Sequence, residues 1–234
     1  MIIPIGVVLF SNSSTSTERS SMDSDVIRIV VINGSVRPGN YTAMASRLVV
    51  DELRKQSDVS VETIDPGALH LPFPGTDPGA EGTQLLQQKV GAATGVVLAT
   101  PEYHGSFSSV MKLVIENLGF PSVLAGKPVA LLGVAAGSIG AIKSLEHLRG
   151  VVSHIGAIAL PLPVSVANVQ QVFGANGDCL DPQIEQLIRR VGINLMDYVR
   201  KNLCPRFTLE RLLRSGVSAS LLEEDAAAGR SLET

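Results

Sequence analysis

Residues 26–42 read VIRIVVINGSVRPGNYT, and this stretch decides the fold. Its first part, residues 26–33, is a continuous apolar run with a single interior arginine, which predicts a buried strand. Residues 42–56 then carry apolar side chains at helical spacing, which predicts an amphipathic helix. A buried strand that leads through a short polar loop into a helix is typical of an α/β domain.

The loop between this strand and this helix has the composition of an anion-binding loop. A helix N-terminus offers free backbone N–H groups and about half a positive charge. Gly34 and Gly39 let the backbone curl around an anion, and Arg37 adds a full charge that we expect to anchor it. Neither GxxxxGK[ST] nor GxGxxG occurs here, so the loop is neither a P-loop nor a dinucleotide fingerprint. The alternative is a plain glycine turn with an N-cap, but anion binding is favoured by the further polar side chains Ser35, Asn40, Tyr41 and Thr42.

The rest of the chain alternates predicted strands and helices. The strands are predicted at residues 59–64, 95–100, 128–135 and 154–160, and the further helices at 83–93, 108–118, 139–152 and 181–199. Asp181 and Pro182 suit the N-cap and first residue of the last helix. Residues 65–81 are rich in proline and glycine, which predicts a loop. This alternation predicts a parallel sheet covered on both faces, with ligands at the carboxyl ends of its strands.

The bulk composition argues against several function classes. Of the 234 residues only 18% are charged, and the formal net charge is -3, whereas a nucleic-acid-binding protein is usually basic. We therefore expect no nucleic-acid partner.

The cysteines and the N-terminal residues argue against further classes. Cys179 and Cys204 form no CxxC pair and have no histidine at metal-ligand spacing, so we predict neither a disulfide framework nor a metal site. Residues 2–10 are apolar but too short to span a bilayer, and no basic residue precedes them; we predict no membrane insertion and a cytoplasmic location.

We predict one domain with two tails. Residues 11–21 are rich in serine and threonine, which is typical of a flexible segment. The predicted boundaries are a flexible N-terminal extension at residues 1–24, a folded domain at 25–203 and a charged, alanine- and serine-rich tail at 204–234.

A second unusual loop begins at Thr100 and reads TPEYHGSFS. Pro101 sets the chain direction, and Gly105 permits a close approach of backbone to a ligand. Exposed backbone N–H groups here suit the edge of a flat heteroaromatic ring. His104 invites a role as acid or base, but a histidine that contacts only ligand or solvent is favoured. Glu102 invites a role as metal ligand or base, but a capping or structural contact is favoured.

The GSxR motif with its polar cluster and the later PEYxxS motif together resemble the NAD(P)H-dependent FMN reductase family. The resemblance covers residues 26–199 and implies a flavodoxin-like α/β fold: a doubly wound, five-stranded parallel sheet in the order 2-1-3-4-5 with helices on both faces. Family members commonly have asparagine at the position of His104 and serine at that of Asn40. The resemblance places the FMN phosphate against Ser35, Arg37, Asn40, Tyr41 and Thr42. It places the isoalloxazine ring against Pro101, Glu102, Tyr103, His104, Gly105 and Ser106.

A third loop, the glycine-rich residues 133–141, resembles the family's segment before the fourth helix. Small residues there let a flat ring approach the backbone, and Ser138 is expected to contact the flavin. A tight connection that needs glycine for packing is an equally good explanation. Residues 143–150 resemble the family's HLR-containing helix, which in the family takes part in dimer contacts near the flavin. A solvated charged face is the alternative.

The resemblance implies an NAD(P)H-dependent, FMN-containing oxidoreductase. Hydride would pass from the nicotinamide of NAD(P)H to flavin N5 and on to a quinone, azo compound, chromate or related small-molecule electron acceptor, by ping-pong kinetics. No catalytic side chain is predicted, because the flavin carries the chemistry. A homodimer or homotetramer is expected. A flavodoxin-type electron carrier and a flavin-stabilised regulatory or scaffold protein stay open as alternatives.

Overall fold

The predicted first strand lies inside a parallel sheet in the computed structural model, which describes residues 26–77 and 79–204. The strands are β1 (Ile27–Asn33), β2 (Val59–Ile64), β3 (Gly95–Tyr103), β4 (Ser106–Phe107), β5 (Pro128–Val134), β6 (Ile158–Ala159) and β7 (Val164–Val166). The sheet has the order β2-β1-β3-β5-β6, and all of these pairs are parallel. Outside this path, β7 pairs in parallel with β5, and the short β4 pairs antiparallel with β3.

Helices cover both faces of the sheet. They are α1 (Tyr41–Arg54), α2 (Glu81–Ala92), α3 (Ser109–Glu116), α4 (Ile142–His154), α5 (Val169–Val172) and α6 (Pro182–Tyr198), with a 3-10 turn at Pro66–Ala68 and a π-helical turn at Val199–Leu203. One core lies between the sheet and α1, α5 and α6, and it includes Val31, Val49 and Leu195. The other lies between the sheet and α2, α3 and α4, and it includes Leu98 and Leu148. The central strands are almost wholly apolar because both of their faces are buried.

The predicted order 2-1-3-4-5 is confirmed, with β5 and β6 in the fourth and fifth places. The predicted fifth strand at residues 154–160 is wrong in its bounds, because α4 continues to His154. Gly156 (φ 82°) ends that helix: its N–H bonds Ser153 O, and the next N–H bonds Val152 O, which is a Schellman motif. The strand itself is divided into β6 and β7 by a segment that contains two prolines, which cannot donate to a ladder.

Other differences are local. Helix α4 begins at Ile142 rather than at residue 139, because Gly140 before it has a positive φ of 78°. The strands β4 and β7 and the helix α5 were not predicted. The roles of Asp181 as N-cap and Pro182 as first residue of α6 are confirmed. The predicted extension at residues 1–24, and the predicted tail after Cys204, lie outside the described residues.

The strand order reverses between β1 and β3, because β2 lies on one side of β1 and the later strands lie on the other. In open α/β sheets, ligands bind beyond the carboxyl ends of the strands at such a switch point. Three segments meet there: the loop after β1, the hairpin formed by the end of β3 with β4, and the loop after β5.

Candidate functional site

Gly34 holds the loop after β1 against the neighbouring strand. Its N–H donates to Ala99 O at 2.7 Å, and its carbonyl accepts from the Ser108 hydroxyl at 2.5 Å. A Cβ at this position would lie 2.8 Å from Ala99 O and 3.0 Å from Met111 Cε, so a larger residue does not fit. Ser108 also caps α3 by accepting from the Met111 N–H. The first loop and the start of α3 are therefore joined through one residue.

Asn40 shapes the same loop from within. Its side-chain oxygen accepts from the Ala43 N–H at 2.8 Å, which makes it the N-cap of α1. Its side-chain amide donates to Arg37 O at 2.7 Å and to Ser35 O at 3.4 Å, and Asn33 also donates to Ser35 O. Both ends of the Asn40 side chain are thus engaged by the loop's own backbone.

Ser35 is different, because its hydroxyl is buried without a partner. The residue is 2% exposed, and no donor or acceptor among the described residues bonds its Oγ. A buried polar group without a hydrogen bond costs stability, so such a group in a cleft calls for a ligand. Thr42 is also buried at the start of α1, while the ring of Tyr41 stacks on Phe173 with centroids 6.4 Å apart.

These residues line a cavity of about 600 Å³ at the switch point. This volume lies within the range of sites that hold drug-sized ligands and cofactors. Polar residues of the first loop form one side, and the end of β3 and the loop after β5 form the rest. The lining residues are Ser35, Arg37, Pro38, Gly39, Asn40, Tyr41, Thr42, Pro101, Glu102, Tyr103, Val134, Ala135, Ala136 and Val169.

The segment after β3 is a β-hairpin with a two-residue turn. Tyr103 pairs with Ser106, and the turn residues His104 and Gly105 both have positive φ, 52° and 75°. Two consecutive positive φ angles are the requirement of a type I′ turn, for which Asn-Gly is the commonest sequence. The histidine of this chain suits this backbone, and the asparagine that the family resemblance suggests at position 104 would suit it too, since both residue types tolerate the left-handed region better than most.

The hairpin is bound to the first turns of α4. Glu102 Oε2 accepts from the Ser144 N–H at 3.1 Å, so this carboxylate caps a helix whose own N-cap residue makes no side-chain bond. Ser106 Oγ lies 3.1 Å from His147 Nδ1 on the same helix. The capping contact favoured for Glu102 from the sequence is present. A second cavity of about 360 Å³ lies between the hairpin and the loop after β5.

The two cavities are adjacent, because Glu102, Ala135 and Ala136 line both of them. The structure brings the predicted site residues together around this pair of cavities. The first is lined by Ser35, Arg37, Asn40, Tyr41, Thr42, Pro101, Glu102 and Tyr103, and the second by Glu102, His104, Gly105 and Ser138. Ser106 lines neither cavity and instead contacts α4.

The other lining residues differ in whether the sequence analysis included them. Val134, Ala135 and Ala136 lie in the segment 133–141, whose small residues were expected to let a flat ring approach the backbone. Val169 was missed, because it belongs to the unpredicted α5 and the sequence offered no signal for it. Ser165 lines neither cavity, but its hydroxyl accepts from the Ala141 N–H at 2.8 Å and so fixes the loop after β5.

Arg37 and Tyr103 meet across the mouth of the first cavity. The guanidinium carbon lies 5.5 Å from the centroid of the Tyr103 ring, which is a cation–π distance. Arg37 is exposed and forms no ion pair with a carboxylate of the described residues. Among the described residues that line this cavity, Arg37 is the one cation, and the one anion, Glu102, is engaged with α4.

Other chemistries find little support within the part of the chain that the structure describes. No three histidine, cysteine or acidic side chains are grouped there as a metal ion would require, and no helix there is long and apolar enough to cross a membrane. Burial raises the pKa of the Cys179 thiol, which is the opposite of what an activated nucleophile needs.

A flavodoxin-like sheet with a polar loop at the N-terminus of a helix, and with small apolar residues beside it at the switch point, is typical of a mononucleotide-binding protein. Residues 27–171 match the model of the family described as NADPH-dependent FMN reductase, and the chain belongs to this family. It is therefore an oxidoreductase with FMN as cofactor and NAD(P)H as co-substrate. The family resemblance inferred from the GSxR and PEYxxS motifs is confirmed.

Individual relatives agree with this assignment. The chain is 30% identical over 189 residues to an NAD(P)H-dependent FMN reductase of Pseudomonas aeruginosa, a match that covers 76% of this chain and 98% of that protein. It is 30% identical over 183 residues to an NADPH azoreductase of a Bacillus species, with 76% and 98% covered. The solved structure of FerB, an NAD(P)H:(acceptor) oxidoreductase from Paracoccus denitrificans, has the same fold: the TM-score is 0.64 at 21% identity, with 75% of this chain and 98% of that chain covered.

The residues present fit FMN. A phosphate monoester needs hydrogen-bond donors and positive charge, which the Ser35 hydroxyl, the N-terminus of α1 and Arg37 supply. A flat tricyclic ring needs a slot lined by small or apolar residues, which Ala135, Ala136 and Val134 supply. Of these features, the Ser35 hydroxyl is the most specific, because it lacks a partner among the described residues and only a bound ligand or water could form a hydrogen bond with it.

Proposed function

We propose that this chain reduces quinones or azo compounds with NAD(P)H, by ping-pong kinetics, through FMN held across the two cavities. The phosphate binds the first loop through Ser35, Arg37 and the N-terminus of α1. The isoalloxazine ring lies along the β3–β4 hairpin and the loop after β5, beside Tyr103 and Ser138. The observation that carries the proposal is the buried, unpartnered Ser35 hydroxyl in the lining of a cavity of about 600 Å³.

The chain's own residues bind and orient, and none of them is assigned a proton transfer. When bound, FMN supplies the redox chemistry, since it accepts hydride from NAD(P)H and passes electrons to the acceptor. His104 and Gly105 form a left-handed turn that lines the second cavity, and in this proposal their backbone N–H groups serve as donors to the ring edge. Val134 and Val169 make the inner wall apolar and keep water away from the ring.

Glu102 has a structural part in this arrangement. Its carboxylate lies in the lining of both cavities, where a free negative charge would oppose the negative charge of a reduced flavin. The hydrogen bond from the Ser144 N–H and the positive end of the α4 dipole compensate that charge. Glu102 thereby fixes the hairpin to α4 without acting as a base.

The test is reconstitution of the purified 234-residue chain with FMN, followed by an absorbance spectrum and by steady-state assays. We expect a yellow protein that oxidises NADH or NADPH when benzoquinone or an azo dye is present, with parallel double-reciprocal plots at different acceptor concentrations. FMN at a hundredfold excess over its dissociation constant should raise the free energy of unfolding by about 2.7 kcal/mol. A colourless chain that cannot be loaded with FMN would contradict the proposal.

Two further outcomes separate the alternatives. Bound flavin that NADPH reduces slowly, with no turnover on either acceptor, would favour an electron carrier. Turnover that depends on the chain after Cys204 would assign that segment a part in the reaction, and unchanged turnover after its removal would not.

We also propose that the chain forms a homodimer or homotetramer, because residues 143–150 resemble the helix that forms dimer contacts in the family. Light scattering after size-exclusion chromatography would measure the mass of the assembly.

A further inference from the structure

We propose that Tyr103 is a positioning residue for Arg37: its ring holds the guanidinium over the mouth of the first cavity, where it meets the phosphate of FMN. This inference rests on the proposed function, because it assumes that FMN binds there. It changes the part played by Tyr103, which by its place in the hairpin would otherwise be assigned only to the isoalloxazine ring. The two flavin-binding segments are then coupled through side chains as well as through the fold.

The first step is geometric. Arg37 lies in the loop after β1, and Tyr103 ends β3, so the two residues belong to different segments of the site. Their contact, 5.5 Å from guanidinium carbon to ring centroid, bridges those segments, and both residues line the same cavity. Tyr103 is 37% exposed, so its ring is partly open to solvent at the rim rather than packed in the core.

The second step concerns what else holds Arg37. Asn40 bonds the backbone carbonyl of Arg37 but not its side chain. No carboxylate of the described residues pairs with the guanidinium, which instead contacts the face of the Tyr103 ring. An arginine side chain loses considerable rotamer entropy when it binds a ligand. A ring that already restricts the side chain lowers this cost, which is how preorganisation raises affinity.

The third step is chemical compatibility. A guanidinium can lie with its plane near an aromatic face and still direct its N–H groups outward to a phosphate, because those N–H groups point away from the edge of the plane. Ser35 also lines the first cavity, and its hydroxyl has no hydrogen-bond partner among the described residues. The phosphate is then bound between a fixed hydroxyl and a fixed cation. The phenol hydroxyl of Tyr103 has no part in this, so only the ring face matters.

The experiment is a double-mutant cycle read with two ligands. Dissociation constants of FMN and of riboflavin, which lacks the phosphate, are measured by flavin fluorescence for the wild-type chain, Arg37→Ala, Tyr103→Leu and the double variant. We expect Arg37→Ala to weaken FMN binding about ten- to hundredfold and to leave riboflavin binding unchanged. Tyr103→Leu should weaken FMN binding about two- to fivefold more than it weakens riboflavin binding, and this excess should vanish when Arg37 is absent.

Two controls keep the result specific. Tyr103→Phe retains the ring face and should keep the FMN affinity of the wild type. Arg54→Ala removes an exposed positive charge from the other end of α1, outside both cavity linings, and should leave the ratio of FMN to riboflavin affinity unchanged. All variants are checked for an unchanged thermal transition without ligand.

Failure of this inference and failure of the proposed function give different results. If the wild-type chain binds neither flavin, the proposed function is wrong. If it binds FMN but Tyr103→Leu weakens FMN and riboflavin equally, or has the same FMN-specific effect without Arg37, then Tyr103 acts on the ring directly and the inference is overturned. Tighter FMN binding by Tyr103→Leu would also overturn it, because the ring would then be competing with the phosphate for Arg37.

Discussion

The loop after β1 and the hairpin after β3 border the same cavity, but they use their polar side chains differently. In the loop, Asn40 satisfies the backbone from within, and the Ser35 hydroxyl has no partner among the described residues. In the hairpin, Glu102 and Ser106 both reach outward to α4. The loop therefore leaves a side-chain hydroxyl available to a ligand, whereas the polar side chains of the hairpin fix it to α4, and we propose that the hairpin binds the ligand through its backbone.

This difference matches the two ends of the proposed ligand. A phosphate dianion is bound best by fixed donors and charge, and a ring edge with alternating donors and acceptors is bound best by backbone groups at a fixed spacing. The variants below test whether the loop and the hairpin divide the work in this way. They are ordered from the largest expected effect to the smallest.

Gly34→Ala should have the largest effect, because the added methyl would lie 2.8 Å from Ala99 O in the backbone of β3. We expect a loss of about 2–3 kcal/mol in the free energy of unfolding, measured by urea denaturation, together with loss of FMN binding. Gly39→Ala is the matched control in the same loop. It meets no atom within 4 Å and suffers only the strain of a positive φ (64°), about 1 kcal/mol. Equal losses for the two variants would contradict the close approach at Gly34.

Ser35→Ala should change stability and affinity in opposite directions. Removing a buried hydroxyl that lacks a partner should raise the free energy of unfolding of the FMN-free chain by about 1 kcal/mol. Removing a donor to a charged phosphate should weaken FMN binding by about 1.5–3 kcal/mol. Calorimetric melting without FMN and fluorescence titration with FMN measure the two quantities.

Ser46→Ala is the matched control for that pair of effects. Ser46 Oγ is also buried without a partner among the described residues, but it lies further along α1 and outside both cavity linings. We expect the same gain in stability with no change in FMN affinity. If Ser35→Ala instead lowers the stability of the FMN-free chain, then the Ser35 hydroxyl forms a stabilising contact within the protein and is not free to bind a ligand.

Asn40→Ala should cost about 1 kcal/mol, because α1 loses its N-cap, and the loop loses the bonds to Ser35 O and Arg37 O. FMN should bind more weakly although Asn40 is engaged with the loop's own backbone. Asn40→Ser, the family's residue, keeps a capping oxygen and should recover most of the stability. If serine recovers FMN affinity but not stability, Asn40 acts on the phosphate directly rather than by shaping the loop. Urea denaturation and FMN titration of both variants separate these cases.

The fold was predictable where strands are long and wholly apolar. β1, β3 and β5 are buried on both faces, so their sequences stand out without any knowledge of their neighbours. The prediction was wrong in the bounds of β6 and missed β7 and β4; these three strands have two or three residues each and are determined by pairing rather than by pattern. Gly156, which ends α4, could have indicated the end of this helix, but the apolar residues around it led to the prediction of a strand that began at residue 154.

The site was predictable as a set of loops, but not as a set of contacts. Ser35 and Asn40 are both small polar residues of one loop, and nothing in the sequence tells which of them is engaged by backbone. That division depends on hydrogen bonds that span up to five residues of the chain and on the approach of β3 to Gly34. The contact of Arg37 with Tyr103 joins two residues that are 66 positions apart in the sequence, with α1, β2 and α2 between them, and no sequence pattern predicts it.

His104 is the residue at which the sequence and the backbone give different expectations, and its variants should have the smallest effects. With φ at 52°, His104→Ala should lower the free energy of unfolding by about 1 kcal/mol, whereas His104→Asn should be neutral or slightly stabilising in a type I′ turn. Turnover with NADPH and benzoquinone should follow the same order, with the asparagine variant close to the wild type. If instead His104→Asn folds normally and binds FMN but loses turnover, then the imidazole takes part in the reaction, and the hairpin contributes a side chain to the chemistry as the loop contributes side chains to binding.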